Sequence, residues 1–182
     1  VHPVIHAPRN AYGVGKLVAE HLCALYAEEF GLETIVARCF SFNGPDLPLD
    51  VHFAIGNFIR DALWKDEIIV NGDGAPLRSY LDQEDLADWL HVLLQNGRAG
   101  ETYNVGSDEV VSMAELAHLV RDLVSPEKPV RILSKSPDVQ TTRNRYVPNI
   151  SKAQRELRLD VKVSLAESIR RTAEAHRMSL NQ

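Results

Sequence analysis

Cysteine is scarce in this chain: Cys23 and Cys39 are its only two among 182 residues. Two thiols are too few for a disulfide framework, so a packed core must supply the stability, and a reducing cytosol is the expected compartment. Long apolar runs are missing too. None approaches the ~18 residues that would span a bilayer, which sets a transmembrane helix, and with it a membrane protein, aside. There is no basic excess: 20 Lys+Arg stand against 25 Asp+Glu, for a formal net charge of −5. A mildly acidic chain without a basic cluster is a poor partner for nucleic acid or an anionic lipid surface. Repeats, low-complexity tracts and a signal-peptide pattern are all absent. Ten glycines occur, none in G-x-G-x-x-G spacing. Metal ligands are thin as well. His2 and His6 stand four apart, but Pro3 and Pro8 argue against one helical face, and no metal site is expected.

What is present is ordinary globular composition, 45% hydrophobic and 25% charged, at a length suited to about one domain. The spacing predicts a helix from Asn10 to Phe30, with Leu17, Val18, His21, Leu22, Leu25 and Tyr26 on one face and Gly31 as its stop. Thr34 to Phe40 reads as a short buried strand ended by Asn43-Gly44-Pro45 turn chemistry. A helix over Phe53–Trp64, a strand over Ile68–Val70 and an Asn71-Gly72-Asp73-Gly74 turn follow. Gln83–Leu94 reads as an amphipathic helix and Thr102–Val105 as a strand. Ser112 and Glu115 form a capping-box pattern opening a helix to Val124, and Val130–Leu133 is a further strand. Ser151–Leu157 and Ser164–Arg177 close the chain as helices, the second with another box pattern at Ser164 and Glu167. Ser134 to Pro148 lacks periodicity and reads as a loop. Helices alternating with strands predict an α/β fold with some parallel pairing.

The sharpest chemical feature is Tyr12-Gly13-Val14-Gly15-Lys16 at the start of the first helix. Spacing i, i+4 puts a phenol and an ammonium on one helical face, within reach of a common ligand. A free tyrosine, pKa near ~10, is a weak base at neutral pH, and a fixed cation nearby favours its phenolate. Such a pair could move a proton on or off an alcohol hydroxyl. A solvated helix start carries the same pattern. A phosphate loop does not fit, because Asn10 stands where the first glycine is needed and Leu17 where Ser/Thr is needed.

Other segments extend this motif collinearly. Tyr12-x-x-x-Lys16 opening a long helix resembles the catalytic motif of the extended short-chain dehydrogenase/reductases, the NAD-dependent nucleotide-sugar epimerases and dehydratases. The segment from Arg38 through Cys39, Phe40, Ser41, Phe42, Asn43 and Gly44 to Pro45 is similar to that family's strand-end segment. Val70–Tyr80, with Gly72, Gly74, Arg78 and Tyr80, resembles its Gly-x-Gly-x-x-x-Arg-x-Phe/Tyr segment. Asp85-Leu86-Ala87, Thr102-Tyr103-Asn104-Val105-Gly106 and Pro148-Asn149-Ile150-Ser151-Lys152-Ala153 match three more of its segments in order.

The resemblance implies the carboxyl-terminal part of a Rossmann-type fold with a smaller mixed α/β substrate region. Residues 1–45 would end the NAD-binding domain, and 46–182 would mainly form the nucleotide-sugar-binding region. Tyr12 would be the acid/base, and Lys16 would hold the nicotinamide ribose. Cys39, Phe40 and Ser41 would lie beside the nicotinamide. Ser41 and Asn43 would face substrate, and Arg78 would pair with its diphosphate, with Arg145 as a second diphosphate ligand. The implied cofactor is NAD, the implied ligand a nucleotide-diphosphate sugar, and the implied assembly a homodimer through Asn10–Phe30. Ser41 stands where the family has Asn, Asn43 where it has Tyr, and Ser136-Pro137-Asp138 where many members carry Arg-Pro-Gly-Asp. The family's G-x-x-G-x-x-G spacing is also absent, so the resemblance implies an upstream segment bearing that turn and a Ser/Thr partner for Tyr12. Without them, this chain alone is expected to be inactive. The competing readings are a non-catalytic nucleotide-sugar-binding module and a structural fragment docking through an open sheet edge.

Overall fold

The computed structural model describes residues 10–51, 53–134 and 144–179. In chain order these form α1 (Ala11–Phe30), β1 (Val36–Cys39), β2 (Phe42–Asn43), α2 (Ala54–Trp64), β3 (Ile68–Val70), β4 (Leu77–Arg78) and β5 (Leu81–Asp82). Then come α3 (Gln83–Asn96), β6 (Thr102–Val105), β7 (Val111–Ser112), α4 (Met113–Val124), β8 (Val130–Ile132), β9 (Arg145–Tyr146), α5 (Ser151–Leu157) and α6 (Leu165–Ser179). β1 pairs with β6, β2 with β5, and β3 with β8, all parallel. β4 lies between β7, antiparallel, and β9, parallel. The expected α/β class with parallel pairing is what the chain adopts.

Local chemistry sets the helix ends. Asp82 caps α3 by accepting from the Glu84 N–H at 2.9 Å. Ser112 and Glu115 make the full reciprocal box on α4, at 3.2 and 2.8 Å. Ser164 accepts from the Glu167 N–H at 3.2 Å, but the Glu167 carboxylate turns to Arg171 Nε at 3.0 Å. The cap on α6 is therefore one-sided. α1 stops at Gly31, which adopts φ +66° and returns its N–H to the Ala27 carbonyl at 3.0 Å.

Two cores divide the apolar residues. One gathers α2, α4 and α6 over β3, with Ile59, Ala62, Leu116, Ala117, Val120 and Ile169 inaccessible to solvent. The other joins α3 and α5 to β6 through Trp89, Leu93, Tyr103, Val105, Ile150 and Ala153. Each fully buried Leu, Ile or Val contributes about 1.5–3 kcal/mol of transfer free energy, so the helices over β3 are the best-anchored elements.

The apolar face of α1 is open in this chain: Leu17, Val18, Leu22, Leu25 and Tyr26 are exposed, and the helix has no buried residue. It touches the rest mainly through polar ties, the Glu20 carboxylate accepting two hydrogen bonds from Arg38 and Thr34 donating to the Cys23 carbonyl at 3.4 Å. β1 is only partly buried: Val36 and Ala37 are half-buried, while Arg38 and Cys39 are exposed. β4, β5 and β7 are two-residue strands that carry no period, and β9 lies in the stretch expected to be loop.

Candidate active site

The site begins where the backbone changes partner. Phe40 N–H donates to the Val105 carbonyl at 2.8 Å, prolonging the β1–β6 ladder. One residue later the Ser41 carbonyl accepts from Leu81 N–H at 3.1 Å, opening the β2–β5 pair. Strands that part at their carboxyl ends leave the crevice in which open α/β sheets bind ligands. Gly106 makes the crossing tight. A Cβ there would meet Pro148 at 2.8 Å and the Phe40 Cβ at 3.1 Å, so a side chain would push Phe40 out of place.

The crevice is a cleft of about 680 Å³ lined by Tyr12, Cys39, Phe40, Ser41, Arg78, Asn144 and Tyr146, with Leu47, Phe53, Ile55, Tyr80 and Met113 as its apolar end. A second cavity of about 510 Å³ lies between α1 and β1, against Tyr12, Lys16, Ala19, Cys39, Phe40 and Tyr146. Tyr12 and Lys16 come together as their spacing requires. The Lys16 ammonium stands 5.5 Å from the centroid of the Tyr12 ring, which is 79% exposed. Arg78 is held by its own strand neighbours. Its Nη1 donates to the Leu77 and Asn144 carbonyls at 2.8 and 2.9 Å, leaving Nε and Nη2 without a partner among the described residues. A guanidinium oriented in that way presents a planar fork to an anion in the cleft.

Two of the expected ligands are not brought to the cleft. Asn43 is fully buried, and its amide donates to Ser168 at 2.9 Å and Thr172 at 3.0 Å on α6. Its amide nitrogen braces β2 against α6, while its buried Oδ1 has no partner among the described residues. Arg145 lies between Asn144 and Tyr146, both of which line the cleft, and the strand pleat sends it to the other face. The segment 136–138 and both His2 and His6 lie outside the described residues. Among the described residues no cluster of His, Cys, Asp and Glu is placed to hold a metal, and no helix is long and apolar enough to cross a membrane.

The electrostatics follow from partial burial. Burial pushes the Cys39 thiol above its ordinary pKa, while the Lys16 ammonium pulls it back. The buried Tyr80 phenol is pushed up to about 12, with Arg78 opposing. Tyr146 is also raised, first by burial and then by the neighbouring Tyr12 phenol. Tyr146 is a cleft residue that sequence reasoning missed, as is Asn144, which fixes Arg78. Tyr146 stacks on Phe40 with ring centroids 4.6 Å apart and planes at 28°. Its one signal was position, just ahead of the Pro148–Ala153 segment.

Comparison with known proteins places this geometry. The profile of the NAD dependent epimerase/dehydratase family matches residues 2–106. The chain belongs to that family. UDP-glucuronic acid decarboxylase 3 of Arabidopsis thaliana is 33% identical over 173 residues, covering 95% of this chain and 49% of that protein. The Bordetella bronchiseptica enzyme WbmF, solved with NADH, shares the fold at a TM-score of 0.84 and 24% identity, over 99% of this chain and 56% of that one. A dTDP-glucose 4,6-dehydratase of Streptomyces venezuelae, solved with NAD, superposes at a TM-score of 0.77 and 25% identity, over 93% and 52%. The chain thus spans about half the length of the curated relatives it matches. Tyr12, Lys16, Cys39, Phe40, Ser41 and Arg78 all fall inside the family match, whereas Arg145 and Tyr146 lie beyond it.

Proposed function

We propose that this chain carries the catalytic Tyr/Lys helix and the substrate side of an NAD-dependent enzyme acting on a nucleotide-linked hexose. The observation that carries the reading is that Tyr12 and Arg78 line one cleft, with Cys39, Phe40 and Ser41 in its wall. A diphosphate on the free edge of Arg78 leaves its sugar to extend toward Tyr12. Tyr12 takes the proton of a sugar hydroxyl and later returns it, with the Lys16 ammonium beside its ring. Ser41 offers a shorter hydroxyl contact than the family's usual amide. The residues fit NAD at its nicotinamide-ribose end: the α1–β1 cavity sets Lys16 and Tyr12, donors suited to ribose hydroxyls, opposite Cys39 and Phe40. They do not extend to its pyrophosphate, since the sequence has no glycine turn of the required spacing. When bound, NAD supplies the acceptor for the hydride of the carbon that Tyr12 serves. Homodimerisation through α1 and a cytoplasmic setting belong to the same proposal, as does the assignment of residues 1–45 to the cofactor side.

Because several curated relatives are named UDP-glucuronic acid decarboxylases, UDP-glucuronic acid is the first substrate to test. In the native protein, Arg78→Ala should weaken its binding by roughly 1.5–3 kcal/mol, about 10- to 150-fold by calorimetry. Tyr12→Phe should leave binding in place and cut turnover by about 10²–10⁴. Unchanged affinity in the Arg78 variant rejects its role. Binding without turnover in the parent protein favours the non-catalytic module instead.

A further inference from the structure

Lys16 has a neighbour one helical turn before it and another one turn after. Tyr12 and Glu20 lie four residues to either side, on the same face of α1, and all three line the cavity between α1 and β1. One ammonium cannot serve both. An exposed lysine and a carboxylate at this spacing attract each other, which would draw Lys16 toward Glu20. The ammonium instead stands over the Tyr12 ring, 5.5 Å from its centroid, and makes no ion pair among the described residues. What takes Glu20 out of the contest lies across the cavity on β1. Arg38 donates from Nε to Oε1 at 2.7 Å and from Nη2 to Oε2 at 2.5 Å, so both carboxylate oxygens are engaged. A planar guanidinium fork matches a carboxylate in this bidentate way, which a single ammonium cannot do. The Arg38 hydrogen bonds hold the Glu20 carboxyl below its ordinary pKa. Among the described residues, Glu20 is the only carboxylate in the wall of this cavity, so no other acid there competes for Lys16.

We propose that Arg38 is a positioning residue: its clamp on Glu20 withholds that carboxylate from Lys16 and leaves the ammonium beside Tyr12. The inference rests on the reading of Tyr12 and Lys16 as the working pair of the site. Arg38 acts through Glu20 and not on substrate. Its loss frees both Glu20 oxygens, and the Lys16 ammonium swings along α1 to meet them. Cys39, the next residue on β1, reports where the ammonium is. Burial raises its thiol pKa and the Lys16 ammonium lowers it, so a departing ammonium leaves the thiol less ionised. The thiol faces Lys16 and Tyr12 from α1 and Tyr146 from β9, all in the wall of the same cavity.

The test measures iodoacetamide alkylation of Cys39 at neutral pH by peptide mass mapping. It compares the native protein with its Arg38→Met, Glu20→Gln and Glu20→Gln/Arg38→Met variants, with thermal melting to verify that each folds. Arg38→Met should slow the reaction about threefold, the effect of carrying a unit charge a few ångströms away in a solvated site. Glu20→Gln and the double variant should react within about 1.5-fold of the parent, because no carboxylate is left to draw Lys16 away. A mere tie between α1 and β1 gives another pattern. The double variant would then react no faster than Arg38→Met, and that result overturns the inference. In a Lys16→Met background, adding Arg38→Met should leave the rate unchanged. The same slowing there shows an effect that bypasses Lys16, and it overturns the inference too. Should Arg38→Met fail to fold, Arg38→Lys takes its place with and without Glu20→Gln, since an ammonium holds one carboxylate oxygen at a time. Turnover of UDP-glucuronic acid tests the underlying reading separately. In Arg38→Met, kcat should fall with KM little changed, and the double variant should recover it. Turnover indifferent to Arg38→Met, with alkylation as expected, overturns the reading of Lys16 and leaves the clamp standing.

Discussion

At the rim of the cleft the Cys39 thiol is drawn two ways, upward by burial and downward by the Lys16 ammonium. A raised pKa means less thiolate at neutral pH and slower alkylation than a free cysteine, although the residue is exposed. Removing the ammonium removes the opposing influence on the thiol, so Lys16→Met should move the alkylation profile to still higher pH. Alkylation rates measured from neutral to alkaline pH in a Cys23→Ser background check this, and a shift to lower pH would contradict it. Residue chemistry of this kind was half legible in the sequence. Tyr12 and Lys16 were, because i, i+4 spacing on a helix fixes their relation whatever surrounds them. Asn43 was not. Its motif position suggested a ligand, but it is buried and its amide nitrogen is taken by Ser168 and Thr172, 125 and 129 positions away, and sequence proximity carries no information about such partners.

Among the elements, α1 and α6 are opposites that look alike in the sequence. Both are long helices with regularly spaced apolar residues. α6 packs Ile169 and Ala173 into the core formed with α2 and α4, whereas α1 buries no residue at all. Ile169→Ala should therefore cost about 2–5 kcal/mol of stability to this chain, from lost transfer energy and a residual cavity. Leu22→Ala should change it by no more than about 0.5 kcal/mol, as at other surface positions. Urea denaturation of the two variants measures the contrast, and equal losses would refute it. The apolar period of α1 correctly gave a helix and its length. Whether that stripe meets anything is a property of other elements, so periodicity was silent on it. The short strands β4, β5, β7 and β9 were illegible for a different reason. Two residues hold no period, and they are strands only because neighbouring strands supply their hydrogen bonds.

For the whole molecule, membership of the NAD dependent epimerase/dehydratase family and the α/β fold were both readable from the order of five or six short motifs. Collinearity did what no single motif could. The ten glycines fall in no dinucleotide spacing, and from this the 182-residue chain by itself is expected to bind NAD more weakly than micromolar, with only Tyr12 and Lys16 addressed to the ribose. Calorimetry of the chain with NAD checks this, and a micromolar dissociation constant would sink it. The sequence by itself determined the helices, the α4 capping box and the Tyr12–Lys16 pair, because each rests on residues a few positions apart. Only the tertiary structure decided that Arg78 shares a cleft with Tyr12, that Asn43 and Arg145 do not, and that Tyr146 does. Those relations depend on where Phe40–Ser41 changes strand partner and on which face of β9 meets it, and such long-range pairings leave no local mark on the chain.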